Sequence, residues 1–185
     1  MNKKPINYVK MVVVIAIGAA LYGLGGLIGI PVFANTTLKP AMAVLAVFAA
    51  MYGPVVGFLV GFLGHMLTDL LAGWGVWVSW ALGSGLVGLM ISTYIAVTKR
   101  NLDEGVFRGR EVGIFIGISF IANFLGYMVS AIIDVIMCAE PFTKVLVQQL
   151  IVSVANTVVI GTIGTLLMFL VAKRNAQKQN LTLED

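Results

Sequence analysis

From Met11 to Ile30, and again from Val145 to Val171, the chain carries no charged residue. A helix of about 20 apolar residues matches the thickness of a bilayer's hydrocarbon layer. There each backbone N–H and C=O must find its partner inside the segment, which helical runs of this length achieve. Of the 185 residues, 59% are hydrophobic and 11% charged, and the mean hydropathy is +1.00. Soluble domains carry roughly 25% charged residues. A chain this short cannot hide so much apolar surface in one water-soluble core, so lipid must solvate it. Six crossings use about 120 residues, which leaves a single membrane domain over residues 1–185 with short loops.

The punctuation divides that domain into six helices, over residues 9–30, 41–52, 54–71, 76–97, 112–137 and 145–171. Pro31 stops the first, because proline cannot continue the hydrogen-bond ladder. Residues 33–40, polar and bracketed by prolines, read as a loop, and Gly53-Pro54 and Gly73-Trp74-Gly75 as turns. The second helix is shorter than a full span, which predicts a tilted, broken or re-entrant element. The stretch from Lys99 to Arg110 reads as a solvated linker, and the tail from Lys173 to Asp185 as frayed. Met1 to Ile30 resembles a signal peptide, but its apolar run is too long for one and is kept as the first helix.

With the N-terminus inside, the inner segments hold Lys3, Lys4, Lys10, Lys99, Arg100, Arg108, Arg110, Lys173, Arg174 and Lys178, and the outer loops only Lys39 and Lys144. Ten cations against two fix an N-in, C-in, all-α bundle of six transmembrane helices. The same distribution, at helix ends and not in a stripe interleaved with aromatics, speaks against nucleic acid as the reason for the net charge of +4. Cys138, the sole cysteine, excludes an internal disulfide and any multi-cysteine metal site.

This topology assigns a depth to each polar residue. His65, Thr68, Asp69, Ser79, Ser130, Asp134, Gln148, Gln149 and Ser153 all fall in the outer halves of their helices, with Asn123 and Asn156 near the midplane. The inner halves are nearly all aliphatic, glycine or alanine. Ionisable groups at depth are costly and mark a cavity, a partner or a pathway. Clustered at one end, they suit a pocket open to the outside and closed beneath. His65 and Asp69, at i and i+4, share a helix face and are able to pair. A lone histidine offers little to a metal. Trp74, Trp77 and Trp80 suit either the interfacial belt or a pocket wall, with at least one assigned to the wall. Asp134 and Glu140 are also compatible with water at the membrane edge.

Small residues four apart let helices approach closely. Gly57 with Gly61 and Gly113 with Gly117 read as internal packing, whereas Ala16 and Ala20, taken to lie on the inner part of the first helix, read as a docking face. Neither a phosphate-binding G-x-x-x-x-G-K-[ST] loop nor H-E-x-x-H nor G-x-S-x-G is present. No catalytic constellation is evident, and energy-dependent uptake would need partner subunits.

The six-helix N-in layout, the Ala16–Ala20 pair, and the stretches Asn35-Thr-Thr-Leu-Lys-Pro40, Gly64-His-Met-Leu-Thr-Asp69, Ala72-Gly-Trp-Gly-Val-Trp77 and Glu140-Pro-Phe142 resemble the S components of energy-coupling factor (ECF) vitamin transporters. They are similar to a formerly uncharacterised subfamily with cobalamin-transporting members. The signatures of riboflavin and thiamin pockets are not found. The resemblance implies a non-catalytic subunit of the bacterial cytoplasmic membrane that captures a vitamin, cobalamin by expectation, outside the cell. It then topples in the membrane. Ala16 and Ala20 would dock on a transmembrane T subunit driven by two ATPase subunits, which hold ATP and Mg; the chain itself has no cofactor or metal. The expected substrate contacts are Asn35, Thr36, Lys39, His65, Asp69, Trp74, Trp77, Trp80, Tyr127, Asp134 and Gln148. Four competing readings are an S component for another vitamin such as riboflavin, an ion-coupled carrier, which calls for a midplane carboxylate, a membrane enzyme, and a purely structural membrane subunit.

Overall fold

The computed structural model describes residues 7–33, 36–99 and 102–182. Among these, the stretches Tyr8–Leu27, Pro54–Ala72, Val78–Val97, Gly109–Met137 and Phe142–Gln179 are long and apolar enough to cross a membrane. Between the first two lies a shorter apolar helix, Ala41–Tyr52. The outer faces confirm lipid as the solvent: Val9, Val12, Val13, Ile17, Leu21 and Leu24 all project from the first helix.

Helix α1 (Tyr8–Leu27) starts at Asn7, whose side chain accepts the Lys10 backbone N–H at 2.9 Å. It ends three residues before the expected position, and the chain turns into an antiparallel pair of strands, β1 (Ile30–Phe33) and β2 (Thr36–Leu38). The segment expected as a loop is therefore part of a hairpin. Pro31 sits opposite Thr37 in a two-stranded ribbon, where an edge position tolerates its missing N–H, and the β-branched Val32, Thr36 and Thr37 favour extended backbone.

Helix α2 (Ala41–Tyr52) is the axis of the bundle. Ala41, Met42, Ala43, Leu45, Ala46, Val47, Ala49 and Ala50 are all buried, and the helix touches α1, α3, α4 and the far end of the chain. Its 12 residues rise only about 18 Å, short of the hydrocarbon thickness. Because most of its residues are packed inside protein, with Tyr52 at its end the exposed one, most of the helix is shielded from lipid. Gly53, at φ +93°, reverses the chain into α3 (Pro54–Ala72), with Pro54 at the first helical turn, where its absent donor is not missed.

Helix α4 (Val78–Ile91) is separated from the short α5 (Tyr94–Val97). The Ser92 and Thr93 hydroxyls donate back to the Leu89 and Met90 carbonyls at 2.6 and 2.7 Å, competing with the helix ladder. Helix α6 (Gly109–Met137) starts a turn earlier than expected, and α7 (Phe142–Val159) is followed by a π-helical turn (Ile160–Gly164) and α8 (Thr165–Thr182). The tail expected to fray is helical to Thr182. Asn175 donates to the Leu102 carbonyl at 2.9 Å and Gln179 to that of Asp103 at 3.3 Å. The segment between α5 and α6 is likewise no free linker, since Leu102 and Phe107 are buried and Phe107 meets Tyr94 and Phe115 edge-on.

Of the twelve cations, Lys3, Lys4 and Arg100 lie outside the described residues. Lys10 opens α1, Lys99 follows α5, Arg108 and Arg110 flank the start of α6, and Lys173, Arg174 and Lys178 lie on α8, all at one end of the bundle. That end is cytoplasmic by the positive-inside rule.

Helices α3 and α4 cross backbone to backbone. A Cβ on Gly57 would collide with the Gly88 backbone, and one on Gly61 with that of Ser84. The pair expected to behave alike, Gly113 and Gly117, faces open space instead. Spacing alone cannot tell these cases apart, because both pairs sit one turn apart on their helices. Gly57→Leu is expected to cost more than the roughly 1–3 kcal/mol of ordinary overpacking and to lower the thermal midpoint in detergent. Gly113→Leu should leave it unchanged.

Candidate functional site

At the outer end, α1, the hairpin, α2, α3, α4, α6 and α7 surround a cavity of about 460 Å³. Lys39, His65, Asp69, Trp74, Trp77, Trp80, Tyr127, Asp134 and Gln148 all line it, so residues far apart in the chain converge. Asn35 and the Thr36 side chain lie outside the described residues. Tyr22, Met42 and Asn156 also line the cavity and were not among the expected contacts. A tyrosine among aliphatic residues on α1 was a usable signal; nothing in the sequence marked Met42.

The deeper part of the site is organised by Ser84, which is fully buried on α4. Its hydroxyl lies 2.6 Å from His65 Nδ1, 2.8 Å from the Tyr127 hydroxyl and 3.2 Å from that of Tyr22. A serine hydroxyl has one proton and two acceptor sites. All three contacts are met when both tyrosines donate to Ser84 and Ser84 donates to His65 Nδ1. That arrangement leaves the proton of His65 on Nε2, facing Asp69 Oδ1 at 3.7 Å, so the expected i, i+4 neighbours do meet at close range. Asn156 extends the polar lining toward α6, donating to Asn123 Oδ1 at 3.0 Å.

The rim is held by two carboxylates. Asp69 Oδ2 accepts the Trp77 backbone N–H at 3.0 Å, and the Asp69 carbonyl accepts that of Trp74 at 3.1 Å. Gly73 and Gly75, at φ +73° and +77°, let the chain turn within this short span. From the other side Asp134 accepts both indole N–H groups, Trp77 at 3.0 Å and Trp80 at 2.6 Å, and the Ser79 hydroxyl as well. Asp134 is only 2% exposed. The alternative of a solvated residue at the membrane edge is therefore wrong, because α4 folds its N-terminal donors onto it. Glu140 instead lies at the rim, paired with Lys144 at 2.7 Å.

All three tryptophans border the cavity, Trp74 and Trp77 with 66% and 47% of their surface still exposed. Trp80 leans on Tyr127, ring centroids 5.4 Å apart. Lys39, at the mouth, holds its ammonium 4.9 Å from the centre of the Trp74 ring. Burial pulls its pKa below the usual 10.5, and the Asp69 carboxylate acts in the opposite sense. Among the described residues no group of three His, Cys, Asp or Glu side chains is placed to hold a metal ion.

Ala16 and Ala20 are exposed on α1, away from this cavity. They straddle the middle of the helix and do not lie in its inner part, since α1 starts at Tyr8 and ends at Leu27.

A bundle of membrane-length helices with a polar, aromatic-walled cavity at its outer end defines the chain as a multi-pass cell-membrane protein. The profile of the family described as "ECF-type riboflavin transporter, S component" matches residues 7–173, and the chain belongs to that family. Its relatives include UPF0397 proteins of Aliivibrio salmonicida (56% identical, covering 94% of this chain and 96% of the relative), and of Vibrio vulnificus (57%, 94% and 96%). The solved structure reported as "Structure and mechanism of the S component of a bacterial ECF transporter" superposes with a TM-score of 0.52 over 97% of this chain and 100% of that one. At 16% identity that match establishes a shared fold.

Removing the Ser84 hydroxyl takes from His65, Tyr22 and Tyr127 their shared partner and leaves longer contacts, Tyr22 to His65 Nδ1 at 3.4 Å and the two tyrosines to Met42 Sδ at 3.5 and 3.7 Å. A buried polar group left poorly satisfied costs about 1–3 kcal/mol. Ser84→Ala is therefore expected to lower the thermal midpoint more than Ser92→Ala, whose hydroxyl only back-bonds within its own helix.

Proposed function

We propose that this protein is the substrate-capturing S component of an ECF-type transporter, that it catalyses no reaction itself, and that it binds a flat-ringed water-soluble vitamin outside the cell. The observation that carries this reading is the cavity of about 460 Å³ walled by Trp74, Trp77 and Trp80. Sites for small organic ligands span about 300–1,000 Å³ and are mostly apolar with a few placed polar groups. The indole N–H groups of Trp77 and Trp80 are already engaged by Asp134. These two rings therefore offer their faces, which suits stacking on a planar ring. Gln148, Asn156 and Lys39 supply the polar contacts around it.

The family description names riboflavin, whose fused rings are compatible with this volume. Cobalamin, expected from the resemblance of the 35–40, 64–69, 72–77 and 140–142 stretches, is the second reading. Ala16 and Ala20 form the proposed contact with a T subunit, because small exposed side chains at mid-helix let a partner helix approach closely. Two partner ATPases would supply the energy.

Calorimetric titration of the purified protein with riboflavin, thiamin and cobalamin, without ATP, should give saturable heat with one of them. Heat with none would refute the reading, and heat with cobalamin alone would establish the second one. Ala16→Trp and Ala20→Trp should leave that binding within about threefold of the native protein and abolish vitamin uptake by cells. Uptake that survives both changes would remove the docking assignment.

A further inference from the structure

The geometry points to Asp134 as a positioning residue that builds the aromatic wall of the cavity and does not itself contact the bound vitamin. The three donors converge on it from one stretch of chain, the indoles of Trp77 and Trp80 and the hydroxyl of Ser79. Oδ1 takes Trp77 and Ser79, and Oδ2 takes Trp80 at 2.6 Å. With both oxygens engaged and the residue 2% exposed, little of the carboxylate remains for a ligand. Its acceptor-only chemistry is what the site needs, since an indole nitrogen donates and never accepts.

The consequence is mechanical. Indole rings rotate about two side-chain torsions, and rings at a loosely tethered helix start would sample several orientations. Trp77 is fixed twice, its backbone N–H on Asp69 of α3 and its ring on Asp134 of α6. Trp80 is fixed by Asp134 at its indole nitrogen and by the tilted Tyr127 ring beside it. The turn from Gly73 to Trp77 is thus strapped between α3 and α6, with ring planes set before any ligand arrives. Preorganised walls lower the ordering cost of binding. Ser130 gives α4 a separate tie to α6, donating to the Ser79 carbonyl at 2.8 Å, so the helix pair stays joined without Asp134.

All three tryptophans of the chain border this cavity, so tryptophan emission, excited selectively over that of the five tyrosines, reports on the wall with no ligand required. In ligand-free protein in detergent, Asp134→Ala should red-shift the emission and raise the acrylamide quenching constant about twofold. Asp134→Asn, which keeps one acceptor, should fall between, and Ser130→Ala should match the native protein. An unchanged spectrum in Asp134→Ala and Asp134→Asn, or an equal change in Ser130→Ala, would overturn the assignment.

The binding arm rests on the vitamin-capture reading and is run with riboflavin, or with cobalamin should riboflavin give no heat. Asp134→Ala should weaken binding about tenfold in the native background but less than threefold in Trp77→Phe/Trp80→Phe. A tenfold loss in both backgrounds would mean that the carboxylate touches the vitamin and would overturn the proposal. Absence of binding by the native protein would refute vitamin capture while leaving the fluorescence test of Asp134 intact.

Discussion

Lipid offers a polar side chain no hydrogen-bond partner, so such groups within the hydrocarbon layer bond to their own protein or face a cavity. The outer end of this bundle is organised around that constraint. Two centres meet it. Ser84 collects His65, Tyr22 and Tyr127, and Asp134 collects Trp77, Trp80 and Ser79. Each centre joins residues from different helices, so the closure of the hydrogen bonds and the convergence of the helices are one event. The groups left over at the surface of that network, Gln148, Asn156, Lys39 and the faces of the tryptophans, are what the cavity presents.

The close approach that makes this possible comes from small residues. Gly57 and Gly61 let α3 lie directly on α4, bringing His65 within 2.6 Å of Ser84. The alanines of α2 let the surrounding helices gather about it with few side-chain atoms between them. A short helix that would be unstable alone in lipid becomes the best-protected element of the fold. The polar site sits above this apolar axis and not within it, which is why the cavity opens at one end.

Electrostatics and aromatic geometry are coupled at the rim. Asp69 and Asp134 hold opposite sides of the turn that carries Trp77, and Lys39 leans over Trp74 from the hairpin. The mouth is thus formed by elements tied through side chains, next to a two-stranded ribbon in contact with α7. The cytoplasmic end differs in kind: Phe107, Tyr94 and Phe115 pack edge to face, and Asn175 and Gln179 hold α8 to the inner segment. Amides hydrogen-bonded to carbonyls and rings packed edge to face make a closed cap there, with no comparable opening among the described residues.

Length and hydropathy by themselves determined the membrane, the apolar stretches that lie in it and, through the positions of twelve lysines and arginines, which end faces the cytoplasm. These properties are local or additive along the chain, so they are legible without a fold. The clustering of His65, Asp69 and the tryptophans at one depth was legible for the same reason, since depth follows from position along each helix. Rotation about the helix axis is not additive. Whether Gly113 faces lipid and Gly57 a neighbour, whether Asp134 meets water or two indoles, and that Tyr22 and Ser84 join the site were decided only when the helices packed. Those outcomes depend on contacts between residues such as Trp77 and Asp134, 57 positions apart, whose proximity no periodicity in the chain encodes.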